Sequence, residues 1–257
     1  MDISIIIVNY KTRGLLKQCL RGIYKFAPQA NFEIIVVDNN SQDGSVEMVA
    51  EKFPQVRLLV ATENLGYHKG NNWAIKEAKG KHVLILNTDI AFLDSAIQKM
   101  HDYLLFNDDV ALVGPKLKNP DGSIQMSCMR FPTAMVPIYR RTFLGNLPAG
   151  KRKTSQYLMH DFSHQEIRQV DWILGACYMI RRDRLIKVGL MDEKLFLYFG
   201  DVALAKQFWD CGWKVMYFAD TNIVHYHKRE SATSGIFSKI FWIHIFDWFK
   251  YLYYYHK

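Results

Sequence analysis

Four short polar clusters in the first part of the chain carry the residue types from which a small-molecule site is built. They are Asn9-Tyr10, Asp38-Asn39-Asn40-Ser41, Glu63-Asn64-Leu65-Gly66 and Asn87-Thr88-Asp89. A carboxylate such as Asp38 accepts hydrogen bonds from a base or a ribose, and a tyrosine such as Tyr10 stacks on a base. Taken singly, each cluster reads as a turn or a helix cap, and Asp89 alone reads as a cap. Their placement argues otherwise, because each closes a segment of strand character.

Those segments are Ile3–Val8, Glu33–Val37, Val56–Val60 and His82–Leu86. Between them apolar residues recur at helical spacing: Leu16, Cys19, Leu20 and Ile23, then Val46, Val49, Ala50 and Phe53, then the stretch Trp73–Ala78. Asp94 is placed as the N-cap of a helix carrying Ile97, Met100 and Leu104, and Ala111–Val113 closes this half. Strands and helices alternating over short connections predict an α/β fold, with a mostly parallel central sheet and helices on both faces. Ligands of such sheets bind at the carboxyl ends of the strands, so all four clusters are expected at one edge.

After Pro115 the pattern changes. Asn119-Pro120-Asp121-Gly122 predicts a hairpin turn. Residues 137–168, polar and basic with Arg140-Arg141 and Lys151-Arg152-Lys153, are expected to form a mobile loop over the site. Regular structure returns at Val170–Ile180, followed by helices over Arg182–Val188 and Val202–Cys211 and strands over Lys214–Phe218 and Asn222–Val224.

The motifs also resemble a known family. Ile5-Ile6-Ile7-Val8-Asn9-Tyr10, Val36-Val37-Asp38-Asn39-Asn40-Ser41-Gln42-Asp43-Gly44-Ser45, and Glu63-Asn64-Leu65-Gly66-Tyr67 through Gly70-Asn71-Asn72 are similar to the family-two inverting glycosyltransferases with the GT-A (Rossmann-like) fold. Asn119-Pro120-Asp121-Gly122-Ser123, Arg130-Phe131-Pro132-Thr133, Val170-Asp171-Trp172 with Gly175-Ala176, and Met191-Asp192-Glu193 through Phe196 to Val202 extend the resemblance. They point to a branch rich in bacterial rhamnosyltransferases and related surface-polysaccharide enzymes. The likeness covers about residues 3–231.

The resemblance implies a nucleotide-sugar site made by Asn9, Tyr10, Asp38, Asn40, Asn64, Gly66, Tyr67, Asn71, Asn87 and Thr88. It implies a divalent metal, Mg2+ or Mn2+, at Asp89 with His225, and a sugar or acceptor side lined by Trp172, Gly175 and Ala176. Asp201 falls where the family has the base that deprotonates the acceptor hydroxyl. The implied donor is dTDP-rhamnose or a UDP-sugar, and the implied acceptor is a cell-surface glycan or a lipid-linked one. Lys228 and Arg229 can help hold phosphate. On this reading residues 1–115 bind the nucleotide-sugar, residues 116–234 are the acceptor and catalytic half of the same domain, and residues 235–257 form an aromatic helical tail.

Two departures matter. Asn87 stands where the family's D-x-D motif has its first acid, and Gly200 and Ala203 stand where acids flank the base. Losing those carboxylates removes like charge that would raise the Asp201 pKa. Asp201 then has a second reading, as a helix N-cap, and His225 has one as a structural histidine. The alternative activity is a catalytically weakened nucleotide-sugar-binding subunit of a polysaccharide synthase complex. A sugar-phosphate nucleotidyltransferase would instead carry a Gly-rich basic loop where this chain has Asn9-Tyr10-Lys11-Thr12-Arg13-Gly14.

Composition narrows the classes. With 49% hydrophobic and 23% charged residues the chain is globular rather than disordered. Its net charge of +8 suits an anionic membrane or anionic substrates. Zinc-finger spacing and an aromatic RNA platform are both missing from the sequence, so no nucleic-acid partner is expected. Cys19, Cys128, Cys177 and Cys211 form no C-x-x-C pair and read as buried thiols of a reducing compartment. The first residues lack a basic signal region, and no apolar run reaches ~18 residues, so a cytoplasmic location is expected, at the inner face of the cell membrane if the tail binds there. That tail, 236–257, is strongly aromatic, with Lys239, Asp247, Lys250 and Lys257 on one polar stripe. It suits an interfacial membrane helix, or else a helix docked on the core or in a homodimer interface.

Overall fold

A computed structural model describes residues 1–226 and 238–255. The expected Lys228, Arg229 and Lys257 contributions lie outside the described residues. Strands β1 (Ile3–Asn9), β2 (Phe32–Asp38), β3 (Arg57–Val60) and β4 (His82–Leu86) alternate with helices α1 (Arg13–Lys25), α2 (Ser45–Lys52) and α3 (Tyr67–Glu77). After them come β5 (Ile90–Phe92), α4 (Ala96–Phe106), β6 (Val110–Lys118), β7 (Ile124–Gln125) and β8 (Cys128–Met129). The chain continues through α5 (Val136–Arg141), a 3-10 turn at Phe143–Asn146, α6 (Pro148–Tyr157), β9 (Arg168–Gln169), β10 (Trp172–Ile173), β11 (Cys177–Arg181) and α7 (Arg182–Lys187). It closes with α8 (Gly200–Asp210), β12 (Lys214–His225) and α9 (Lys239–Tyr255).

The main sheet runs β3-β2-β1-β4-β11-β6-β12-β5, with β7 and β9 added to β6 and β12. β3, β2, β1 and β4 are mutually parallel, and β6 is parallel to β12. β11 runs against both β4 and β6, which makes the sheet mixed at its centre. Alternation along the strands sorts the core into two layers. Ile5 and Ile7 face Leu16, Leu20, Met48 and Ile97 from α1, α2 and α4. Ile6 turns the other way, toward Ala74, Ile75, Leu204 and Phe208 from α3 and α8.

Three expectations are corrected. Residues 137–168 are largely helical rather than a loop, because Pro137 and Pro148 start α5 and α6 and Tyr157, Met159 and Phe162 are buried in the core. The residue preceding α4 is Ser95, while Asp94 pairs with Lys99 at 2.7 Å. Cys19, Cys128 and Cys177 are buried thiols as expected, but Cys211 is exposed. Burial pushes the Cys128 thiol up to about 12.

The tail is a helix whose one acid, Asp247, turns inward, opposite to the solvent side expected of it, while Lys250 stays exposed. Asp247 is 1% exposed, and Lys250 Nζ donates to the Lys194 carbonyl at 2.6 Å. Trp248 and Tyr251 are buried against Phe199. Trp242, Phe246, Phe249 and Tyr253, spaced along the opposite face, are 49 to 76% exposed. Docking is therefore established by a few inward residues, while most of the aromatic surface stays outside. Trp248→Ala should cost about 3 kcal/mol and lower Tm, whereas Phe249→Ala should change stability by no more than about 0.5 kcal/mol. Equal losses in thermal denaturation would contradict this orientation of α9.

Candidate active site

The parallel register brings the clusters together. Asn9 and Asp38 are paired residues at the ends of β1 and β2, and Asp38 is in turn aligned with Val60. Asn9 Nδ2 donates to Asp38 Oδ2 at 2.8 Å and to Ser41 Oγ at 3.0 Å, and the Ser41 amide donates to Asp38 Oδ1 at 2.9 Å. Thr12 Oγ1 donates to Asn9 Oδ1 at 2.7 Å and lies 3.0 Å from Thr88 Oγ1. The side chains of Asn9 and Asp38 thus find their hydrogen-bond partners within the edge itself. Asp38 is fully buried, whereas Tyr10 is 44% exposed at its rim.

The third cluster folds onto the second. Asn39 Nδ2 donates to the Gly66 carbonyl at 3.0 Å, the Gly66 amide to Asn64 Oδ1 at 2.9 Å, and Asn40 Nδ2 to the Thr62 carbonyl at 3.1 Å. Lys11, Asn40 and Gln42 all adopt φ between 53° and 60°, a sparsely populated conformation that collects at binding loops. Gly66 has φ 79°, and an added Cβ would lie 2.8 Å from the Phe196 ring, so glycine is required there twice over. Asn71 Nδ2 donates to the Tyr67 carbonyl at 2.9 Å, locking the first turn of α3.

The fourth cluster joins the second half of the chain. The Asn87 amide donates to the Ala176 carbonyl at 2.9 Å, and Tyr67 Oη donates to the Gly175 carbonyl at 2.6 Å. The Gly175 amide in turn donates to Asp201 Oδ2 at 2.9 Å, while Oδ1 accepts from the Val202 amide at 2.9 Å. Asp201 sits in the first turn of α8 and is not its N-cap, since Phe199 holds that position with φ 64°. Removal from water pushes the Asp201 carboxyl up to about 6, an effect only partly offset by the two amides. The loss of neighbouring acids therefore does not leave it an ordinary carboxylate. Trp172 lies inward of this row, buried against Tyr157, with Nε1 donating to the Arg130 carbonyl at 2.8 Å.

Asp89 and His225 meet across β5 and β12, with Oδ2 and Nε2 3.3 Å apart. Gln125 Nε2 reaches Asn119 Oδ1 at 3.2 Å, so its Oε1 accepts from His225 Nδ1 at 2.7 Å. A carboxylate oxygen and an imidazole nitrogen this close are ligand types that suit a divalent cation. Among the described residues no group of three His, Cys, Asp or Glu gathers as a metal site. Further ligands would come from substrate oxygens and water.

His68, passed over in the sequence reading, packs against the turn that precedes Asp201. It is buried, its Nδ1 donates to the Leu195 carbonyl at 2.5 Å, and burial holds its pKa down. A Cβ on Gly200 would lie 1.8 Å from His68 Nε2, so the imidazole occupies the room in which a side chain at 200 would begin. The absence of an acid at 200 is thus matched by a bulky neighbour. Gly200→Ala should destabilise by about 1–3 kcal/mol, and His68→Ala should relieve much of that cost. Additive losses in the double variant, measured by denaturant unfolding, would refute the coupling.

Comparison with known proteins identifies the family and the fold. The model described as Glycosyl transferase family 2 matches residues 4–169. The N-acetylglucosaminyl-diphospho-decaprenol L-rhamnosyltransferase of Mycobacterium tuberculosis is 27% identical over 241 residues, covering 90% of this chain and 77% of that protein. The O-antigen biosynthesis protein RfbC of Myxococcus xanthus is 27% identical over 93% of this chain, which spans only 18% of its length. Among solved structures, GalNAc-T7 with UDP, GalNAc and Mn2+ superposes with a TM-score of 0.70 at 14% identity, covering 98% of this chain and 48% of that one. The mannosyltransferase PcManGT from Pyrobaculum calidifontis, in complex with GDP-Man and Mn2+, gives 0.59 at 19% identity, covering 90% of this chain and 58% of that one.

Proposed function

Because the chain belongs to glycosyl transferase family 2, we propose that it transfers a sugar from a nucleoside diphosphate to a hydroxyl of a cell-surface or lipid-linked glycan, with inversion at the anomeric carbon. The observation that carries this reading is Asp201, a carboxyl raised to about 6 and held by the Gly175 amide at the edge where the four clusters converge. A base poised near the working pH combines a large ionised fraction with a useful proton affinity.

In this mechanism Tyr10 stacks on the base at the rim, and Asp38 and Asn40, with Asn9, Asn64, Gly66, Tyr67, Asn71, Asn87 and Thr88, shape the nucleotide-sugar site. Gly175 and Ala176 line the sugar and acceptor side, and Trp172 supports them from the core. The acceptor oxygen attacks the anomeric carbon as the bond to the diphosphate breaks, the bonding pair leaving with the nucleoside diphosphate. Asp201 takes the acceptor proton. Asp89 and His225 would hold a divalent metal, which supplies a Lewis acid that neutralises charge on the departing diphosphate. A carboxylate with an imidazole suits Mn2+ better than Mg2+.

dTDP-rhamnose is the favoured donor, supported by the rhamnosyltransferase relative, with UDP-sugars next. Glycan transfer to a lipid-linked acceptor places the work at the inner face of the cell membrane. Among the described residues no helix is long and apolar enough to cross a membrane. The outward face of α9, with Trp242, Phe246 and Phe249 beside Lys194 and Lys250, suits peripheral contact there.

Two outcomes follow. Asp201→Asn should lower kcat by about 10²–10⁴-fold with donor affinity kept, and wild-type kcat should rise with pH through an inflection near 6, as the carboxyl ionises. Full activity in Asp201→Asn would refute the base assignment, while donor binding without turnover in the wild type would favour a binding subunit. In flotation with anionic phospholipid vesicles, replacing Trp242, Phe246 and Phe249 by Ser should abolish binding. Unchanged flotation would remove the membrane reading.

A further inference from the structure

The segment just before Asp201 is held from two sides. On the α3 side, the Leu195 carbonyl accepts from His68, and the Phe196 carbonyl accepts from the Tyr67 amide at 3.1 Å. On the opposite side stands Asp247 of α9. Its carboxylate accepts from the amides of Phe196 at 3.2 Å, Leu197 at 3.0 Å and Tyr198 at 2.9 Å. Charge-assisted bonds of this kind are about twice as strong as neutral ones, and here the acceptor is almost wholly buried.

The side chains of Phe196 and Leu197 are 40% and 39% exposed, so burial of their own side chains does not anchor these residues. Phe199, which follows Tyr198, has φ 64°, a conformation that costs a bulky residue energy unless its surroundings impose it. Its ring packs on His244, Trp248 and Tyr251, all from α9, with centroids 5.0 to 5.6 Å apart. Gly200 and Asp201 follow at once and open α8.

We propose that Asp247 is a positioning residue for the transfer reaction: by gathering the amides of residues 196–198 it holds Phe199 in its left-handed turn and so fixes where α8 starts and where Asp201 points. This rests on the reading of Asp201 as the base. Helix α9 is then part of the catalytic apparatus, acting through the strap 195–200 without touching substrate. It also gives a physical route by which whatever contacts the outer face of α9 reaches the base.

The test compares the full-length wild type with Asp247→Asn and Asp201→Asn. The expected result for Asp247→Asn is a kcat lower by on the order of 100-fold, the effect of small misplacement, with donor Kd unchanged. The inflection near 6 in the pH profile should also move, since the Gly175 contact to Asp201 loosens. In hydrogen exchange read by mass spectrometry, the peptide spanning 195–201 should lose protection while β1 and β2 keep theirs. A lower Tm with wild-type kcat and an unmoved pH profile would overturn the proposal, leaving Asp247 structural. An active Asp201→Asn would overturn the base reading beneath it, a result distinct from the first. If Asp247→Asn fails to fold, exchange in the wild type decides: amides 196–198 must be protected, and exchange at the rate of open loops overturns the proposal.

Discussion

The hydrogen bond from the Gly175 amide to the Asp201 carboxylate is the joint on which this architecture turns. Gly175 lies at the entry to β11, next to Ala176, whose carbonyl receives the Asn87 amide from the end of β4. Tyr67, just after the third cluster, donates to the Gly175 carbonyl. One dipeptide therefore links the parallel half-sheet to the helix bearing Asp201. Because β11 runs against β4, its first residues lie beside the last residues of β4. That reversal delivers the second half of the chain to the edge where the four clusters already stand.

The electrostatics follow from the same packing. Asp38 is buried yet paired with Asn9 and the Ser41 amide, so it serves as a fixed, hydrogen-bonded carboxyl in the edge. Asp201 has two amides but is drawn from water, and there desolvation wins. Two acids of one type thus sit in different surroundings, one held by a side-chain amide and a backbone amide, the other by two backbone amides. Asp89 has the third arrangement, its Oδ2 3.3 Å from the Nε2 of an imidazole whose Nδ1 lies 2.7 Å from Gln125 Oε1.

The parallel half was legible in the sequence because its signals are local. Ile3–Val8 alternates between two buried faces, and the helix seams at Leu16–Ile23 and Val46–Phe53 repeat at i, i+3 and i+4. The reversed strand β11 was not legible, since strand direction depends on pairing partners far away in sequence. Residues 137–168 hid their helices because charge dominates the segment, and Tyr157, Met159, Phe162 and His164 anchor it. Asp247 misled for a related reason. An acid among aromatics looks like the solvent side of an amphipathic helix, but three amides of a distant strap outbid water for it. His68 gave a faint signal, the coincidence of a histidine in the third cluster with a glycine where the family has an acid.

The stereochemistry of transfer tests the central claim most directly. Nuclear magnetic resonance of the first-formed glycoside, from a donor panel including dTDP-rhamnose and UDP-sugars, reports the configuration at the anomeric carbon before any equilibration. A single displacement assisted by Asp201 predicts one product, inverted relative to the donor. A product of retained configuration would contradict the account, because one base and one displacement cannot produce it.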